Sequence, residues 1–197
     1  MISLKEEFEN YHDLSKAEQE SFRNSLLETA NQNPAGFISL VHQAPFGSDC
    51  PLPIIYQALA NDLDQWGSFF VDEFQRLYQL ARTAKNPKQY LCNLKEYYFI
   101  DPENFKEREA LVQLAISELE NEQPIFRHYA YNTLFEIDLE NDHSMDHILQ
   151  RGLYDPDWRI RYWTWSNCDA YEILPDRFNL SWLDKLKAYV FDVLKYG

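Results

Sequence analysis

Apolar residues recur at three- and four-residue spacing along nearly the whole chain, and prolines and short acidic breaks cut that pattern into segments. Ser15-Lys16-Ala17-Glu18 reads as a capping box, a serine and a glutamate that satisfy each other's backbone N–H groups at a helix start. It predicts a helix with Phe22, Leu26 and Ala30 on one face. Asn33-Pro34 breaks that helix. A short one follows through Phe37, Ile38, Val41 and Ala44, and Pro45-Phe46-Gly47 closes it. Pro51 and Pro53 restart the chain through Ile54, Ile55, Ala58 and Leu59. Trp66, Phe70, Phe74, Leu77 and Ala81 make the clearest stripe, an apolar face one side of a long helix would turn to a core. After Asn86-Pro87, residues Tyr90, Leu91, Leu94, Tyr97 and Tyr98 predict a shorter helix that stops at Asp101-Pro102.

The pattern continues in the second half. Glu107 to Glu120 predicts a helix with Leu111, Leu114, Ala115 and Leu119 inward. Gln123-Pro124 opens another, with Phe126, Ala130, Thr133, Leu134 and Ile137 inward, and Glu140-Asn141-Asp142 is a polar break. A short segment with Ile148 and Leu149 ends near Gly152. Asp155-Pro156 opens a tryptophan-rich helix. Ser181, with Asp184 completing a capping box, opens a last one through Leu183, Leu186, Val190 and Val193. No strand pattern emerges and no compositional shift marks a linker. The expectation is one all-α domain over 1–197, built of stacked antiparallel helix pairs as a solenoid or an irregular bundle.

Two of these helices carry the same signature. Ile125-Phe126-Arg127-His128-Tyr129-Ala130 and Arg159-Ile160-Arg161-Tyr162-Trp163-Thr164 share an apolar residue, an arginine, two variable positions and a small residue, thirty-four residues apart. A unit that recurs at such a spacing is the mark of stacked helical repeats, which form extended binding surfaces. The run from Pro124 through Arg127 and Ala130 to Leu134 resembles the second helix of a HEAT repeat, and Asp155-Pro156-Asp157 through Arg161 resembles the same opening. The resemblance covers 105–170 most strongly. Trp163 and Trp165 depart from the small residues usual there. It implies that Arg127 and Arg161 are structural, each pairing with an acid of a neighbouring turn or repeat.

Charge narrows the partner. The formal net charge is −14, and residues 101–150 hold twelve acids against Lys106, Arg108 and Arg127. Such a field repels phosphate backbones and anionic membranes and attracts basic proteins. Five glycines, at 36, 47, 67, 152 and 197, leave almost no material for phosphate-cradling loops or for the frequent tight turns of an all-β fold. Cys50, Cys92 and Cys168 are odd in number and widely spaced, which predicts reduced thiols and neither a disulfide framework nor a zinc site. The first residues turn acidic at once, and no apolar run reaches membrane-spanning length; a cytoplasmic protein is expected.

Candidate chemistry is sparse. His143 and His147 are four apart and could share a helical face toward one metal ion, as in a metal-dependent helical hydrolase, but no HExxH motif and no third ligand accompany them. His12-Asp13 lacks the partners of a phosphohydrolase dyad, and nothing orients Cys50 toward His42. A GxSxG elbow and a P-loop are absent. Trp158, Arg159, Arg161 and Trp165 could imitate a base-stacking site, but only that short segment is basic. The tryptophan-rich helix has Ile160, Trp163, Thr164 and Asn167 on one face and Trp158, Tyr162 and Trp165 on the other. It is either buried all round or an aromatic interface.

These observations predict a non-enzymatic module without cofactor or metal that binds a basic protein. The expected binding surface is Glu118, Glu120, Glu122, Glu136, Asp138, Glu140 and Asp142, with Trp158 and Trp165 as aromatic anchors. In size, charge and helical build the chain is similar to bacterial immunity proteins. The likeness implies inhibition of a toxin nuclease by occlusion, with carboxylates standing where nucleic-acid phosphates would lie. The alternative is a helical adaptor of a larger assembly.

Overall fold

A computed structural model of the protein describes residues 11–43, 55–56, 59–101, 103–137, 145–176 and 178–196. The fold is all-α: nine α-helices and shorter 3-10 segments occur among the described residues, and no strand. Ala44, Cys50, Pro51, Pro53, Ala58, Asp138, Glu140, Asp142 and His143 lie outside them. The helices divide into two compact units, residues 1–111 and 112–197.

In the first unit, α1 (Lys16–Gln32) starts at the anticipated capping box. The Glu18 amide donates to Ser15 Oγ, and Ser15 N–H donates to Glu18 Oε2 at 2.8 Å. Its buried face is Phe22, Leu26 and Ala30. Asn33 alone separates it from α2 (Pro34–Gln43), which packs back against it; the Asn33 side chain takes the Gly36 amide at 3.0 Å. Helix α3 (Leu63–Thr83) starts two residues after Asn61, with Asp62 as its N-cap, and buries Trp66, Phe70, Phe74, Leu77 and Ala81 as the stripe predicts. Helix α4 (Lys88–Leu91) packs on α3 and runs on as a 3-10 segment to Phe99. The core between them is aromatic. Phe37 meets Trp66 edge-on at 5.5 Å, Phe70 meets Tyr97 at 5.6 Å, and Phe74 stacks on Tyr78 at 4.5 Å. Edge-to-face and offset contacts of this kind add to the burial of the rings themselves.

This core also encloses a carboxylate. Glu73 lies on the flank of the α3 stripe and is fully buried. Tyr56 Oη donates to Glu73 Oε1 at 2.6 Å, and Arg76, one turn on, donates to both oxygens at 2.6 Å. His42 stands 3.7 Å away, with its pKa held down by burial and by the Arg76 charge. A buried carboxylate so furnished is satisfied, and it needs no further role to explain it.

Helix α5 (Arg108–Glu118) contains the boundary between the units. The second unit holds α6 (Pro124–Glu136), α7 (Asp146–Leu149) with a 3-10 extension to Tyr154, α8 (Trp158–Ala170) and α9 (Trp182–Tyr196). Helix α8 is central to it, packed on α6, on the 3-10 turn and on α9. Its contact with the 3-10 turn is close enough that a Cβ at Gly152 would lie 2.3 Å from Thr164 Oγ1, so only glycine is accommodated. Helix α8 buries Ile160, Thr164 and Cys168. Trp163 is half-buried, edge-on to His128 and Phe135, and Asn167 is half-buried with its amide on the Trp163 carbonyl.

Helix α9 departs from expectation. Only Asp184 and Ala188 of its described side chains are buried, and the stripe of Leu183, Leu186 and Val190 faces outward. The reason is electrostatic. Asp184 donates its amide to Ser181 Oγ, but its carboxylate leaves the expected box and takes the Arg161 guanidinium, which turns the acidic side of the helix inward.

Candidate functional site

The two helix openings that share the arginine signature bring their arginines into equivalent positions. From α6, Arg127 Nη1 donates to the carbonyls of Asn121 and Glu122 at 2.7 and 3.0 Å, while Nε and Nη2 grip the Asp155 carboxylate, both at 2.8 Å. From α8, Arg161 Nη1 donates to the carbonyls of Asp155 and Pro156 at 2.6 and 2.9 Å, and Nε and Nη2 grip Asp184 at 2.9 and 3.0 Å. Arg127 and Arg161, and the two carbonyl pairs, are each thirty-four residues apart. Each guanidinium thus closes the turn before its own helix and reaches forward to an acid of the next element. The bidentate, charge-assisted geometry makes both arginines structural pins. Asp155 also takes the Asp157 amide at 2.7 Å, so its buried carboxylate is fully engaged.

The turns that these arginines close, around 120–122 and 154–156, are themselves equivalent, and they face each other across a cleft of about 670 Å³. Glu120, Glu122, Asp155 and Asp157 line it, against Arg127 and Arg151. Arg127 is held by Asp155, Arg151 by Glu120 and Arg159 by Asp157, so the surplus charge of the cleft is one carboxylate, Glu122. Glu120 and Glu122 are exposed at its rim. The Asp157 carboxyl lies below the usual aspartate range, chiefly because the Arg159 guanidinium is hydrogen-bonded to it, and its Oδ1 caps α8 through the Arg159 amide at 2.8 Å. Burial pushes the Tyr131 phenol up to about 12, which keeps it protonated in the cleft wall. Tyr154 stands at the mouth with 71% of its surface exposed.

The anticipated acidic surface is only partly assembled. Glu118 is buried and accepts a hydrogen bond from Asn121 Nδ2, so it offers no charge to a partner. Glu136 is half-buried, and desolvation raises its pKa. Asp138, Glu140 and Asp142 lie outside the described residues. Trp158 and Trp165 are half-buried, with the ammonium groups of Lys187 and Lys185 at 6.0 and 5.2 Å from their rings. Neither is an open anchor. Arg151, Tyr131 and Tyr154 were not expected in a site. Carrying the thirty-four-residue offset from the helices into the turns before them would have found the cleft, since it maps Glu120-Asn121-Glu122 onto Tyr154-Asp155-Pro156.

Among the described residues no group of three or more histidines, cysteines, aspartates or glutamates is placed to hold a metal, and no helix is long and apolar enough to cross a membrane. His147 is exposed. Cys168 is buried, its thiol pushed up to about 12 by desolvation and by the Asp146 charge, and Cys92 is half-buried. In comparisons with known proteins, no family model, no curated protein and no solved structure matches this chain.

Proposed function

We propose that the protein is a non-enzymatic inhibitor that binds a basic protein partner, in the manner of bacterial immunity proteins that occlude toxin nucleases. The observation that carries this reading is the cleft between the turns at 120–122 and 154–156. It is a concave site lined by four acids, one of them in surplus over the arginines that hold the rest, on a chain of net charge −14. A nuclease presents lysines and arginines because it must hold phosphates; Glu122 stands at the rim to receive such side chains, Glu120 lies beside it in an exposed bridge to Arg151 that a partner's cation can replace, and Tyr154 supplies an exposed aromatic surface. Attraction between opposite fields would speed the encounter and make it salt-sensitive. The recurrence of the arginine signature and of its carbonyl bonds at thirty-four residues supports the same reading, since repeated helical units present extended surfaces to other macromolecules.

The test reverses the rim charges. Binding of a candidate basic toxin nuclease is measured at low and at high salt, for the native protein and for Glu120→Lys combined with Glu122→Lys. Affinity for the variant is expected to fall by roughly tenfold or more at low salt, with a shallower salt dependence. Native affinity and native salt dependence in the variant would remove the cleft from the mechanism.

A further inference from the structure

Helix α9 is seated by its narrow side. Asp184 and Ala188 are buried, one turn apart, and the opposite side carries Trp182, Leu183, Leu186, Tyr189 and Val190. Trp182 is 74% exposed and Tyr189 69%, and the three aliphatic residues lie between 44% and 46%. Lys185 and Lys187 flank the stripe, one on either side, each with its ammonium over a tryptophan of α8. A contiguous apolar stripe directed away from the body that holds the helix is the kind of patch that marks an interface.

We propose that α9 is the surface through which two copies of this chain pair, antiparallel, about a two-fold axis at Leu186. A two-fold contact requires that residue i meet j and that j meet i. Centred on Leu186, the stripe satisfies this with unlike sizes at each step away from the axis. Trp182 falls opposite Val190 of the second copy, Leu183 opposite its Tyr189, and Leu186 opposite its Leu186. Large residues therefore meet small ones across the pair, as interdigitating helices require.

Area points the same way. With aromatic side chains of about 200 Å² and smaller aliphatic ones, the observed exposures leave roughly 500 Å² of apolar surface on each copy. Complete burial of the stripe in the pair would cover about 1,000 Å² before the lysine stems are added, the lower limit for a biological interface. Charge opposes the pairing. Each copy carries −14, and around a two-fold axis the exposed Lys185 and Lys187 of one copy meet the lysines of the other, so the apolar stripe holds the pair against like charge and screening by salt strengthens it.

The pairing does not depend on the cleft, and salt separates the two. Screening weakens the attraction of a basic partner to the cleft, whereas it strengthens association of two acidic copies. Sedimentation of the full chain across a concentration series tests the proposal. The native protein is expected to sediment as a dimer at micromolar concentration, more tightly at high salt. Leu186→Glu and Leu186→Lys, each with an unchanged helical circular dichroism spectrum, are expected to weaken pairing by roughly 100-fold or more, since each sets like charges at the two-fold axis. Mixing the two variants is expected to restore a heterodimer. A native protein that stays monomeric at high salt, or a Leu186→Glu variant that still pairs as the native chain does, would overturn it.

Discussion

Each unit buries charge, the first a carboxylate and the second an arginine with its acid, and the two are satisfied differently. In the first unit the buried ion is the Glu73 carboxylate. Its bidentate partner, Arg76, is on the same helix three residues away, and Tyr56 supplies the remaining donor. In the second unit, where the Asp155 carboxylate is buried as well, it is the Arg127 guanidinium. Its acceptors come from the turn before its helix and from Asp155, twenty-eight residues along the chain. A carboxylate offers two oxygens and can be served from one helix turn. A guanidinium has donors on more than one edge, and no single turn of helix supplies acceptors at all of them. Burying the arginine therefore ties together parts of the chain that burying the glutamate does not.

Removal of the distant partner gives the largest effect. Asp155→Ala leaves Arg127 buried with its carboxylate gone, and a loss of about 3–5 kcal/mol is expected in urea unfolding monitored by circular dichroism. Asp157→Ala comes next. It removes the α8 cap beside the pin while leaving the pin intact, at about 1 kcal/mol near neutral pH. That loss depends on pH with a definite sign. The folded carboxyl lies below its ordinary value, so its stabilisation is present above the usual aspartate range and disappears as the pH falls below about 4. The native and variant curves should converge in acid. Smallest is Tyr56→Phe, about 1 kcal/mol or less, because Arg76 continues to serve Glu73. If Tyr56→Phe cost as much as Asp155→Ala, the contrast between a locally and a distantly satisfied ion would be lost.

Local signals made most of the helices legible. The Ser15 capping box, the Trp66–Ala81 stripe and Pro124 each mark an element, because caps, periodicity and proline act within a few residues. The shared arginine signature was readable as well, and the bonds follow its offset. The α9 orientation was not, since its stripe would suit a core as well as an outward face; the choice is made by Arg161, twenty-three residues away from Asp184. Glu73 was equally obscure, because Asp72-Glu73 on a helix flank looks like solvated charge until Tyr56 closes over it. The end of α8 gave no glycine signal either, as the left-handed residue after it is Glu172, at φ 59°. The cleft belongs to the same class. It is made by turns, whose residues carry no periodicity, and only the repeat relates them.

The two arginine pins also set the terms on which this sequence can change. Each guanidinium has four bonds committed, two to backbone carbonyls and two to one carboxylate. A carbonyl is supplied by any residue, so the pins themselves place no demand on the side chains of Asn121, Glu122 and Pro156 while their backbone stays in place. The arginine is not free, because a lysine offers a single point of charge where a flat fork is required. Nor is the acid at 155 or 184. Between these fixed points the length of the chain is the variable left open, since a pin that joins two ends is indifferent to how many residues travel between them.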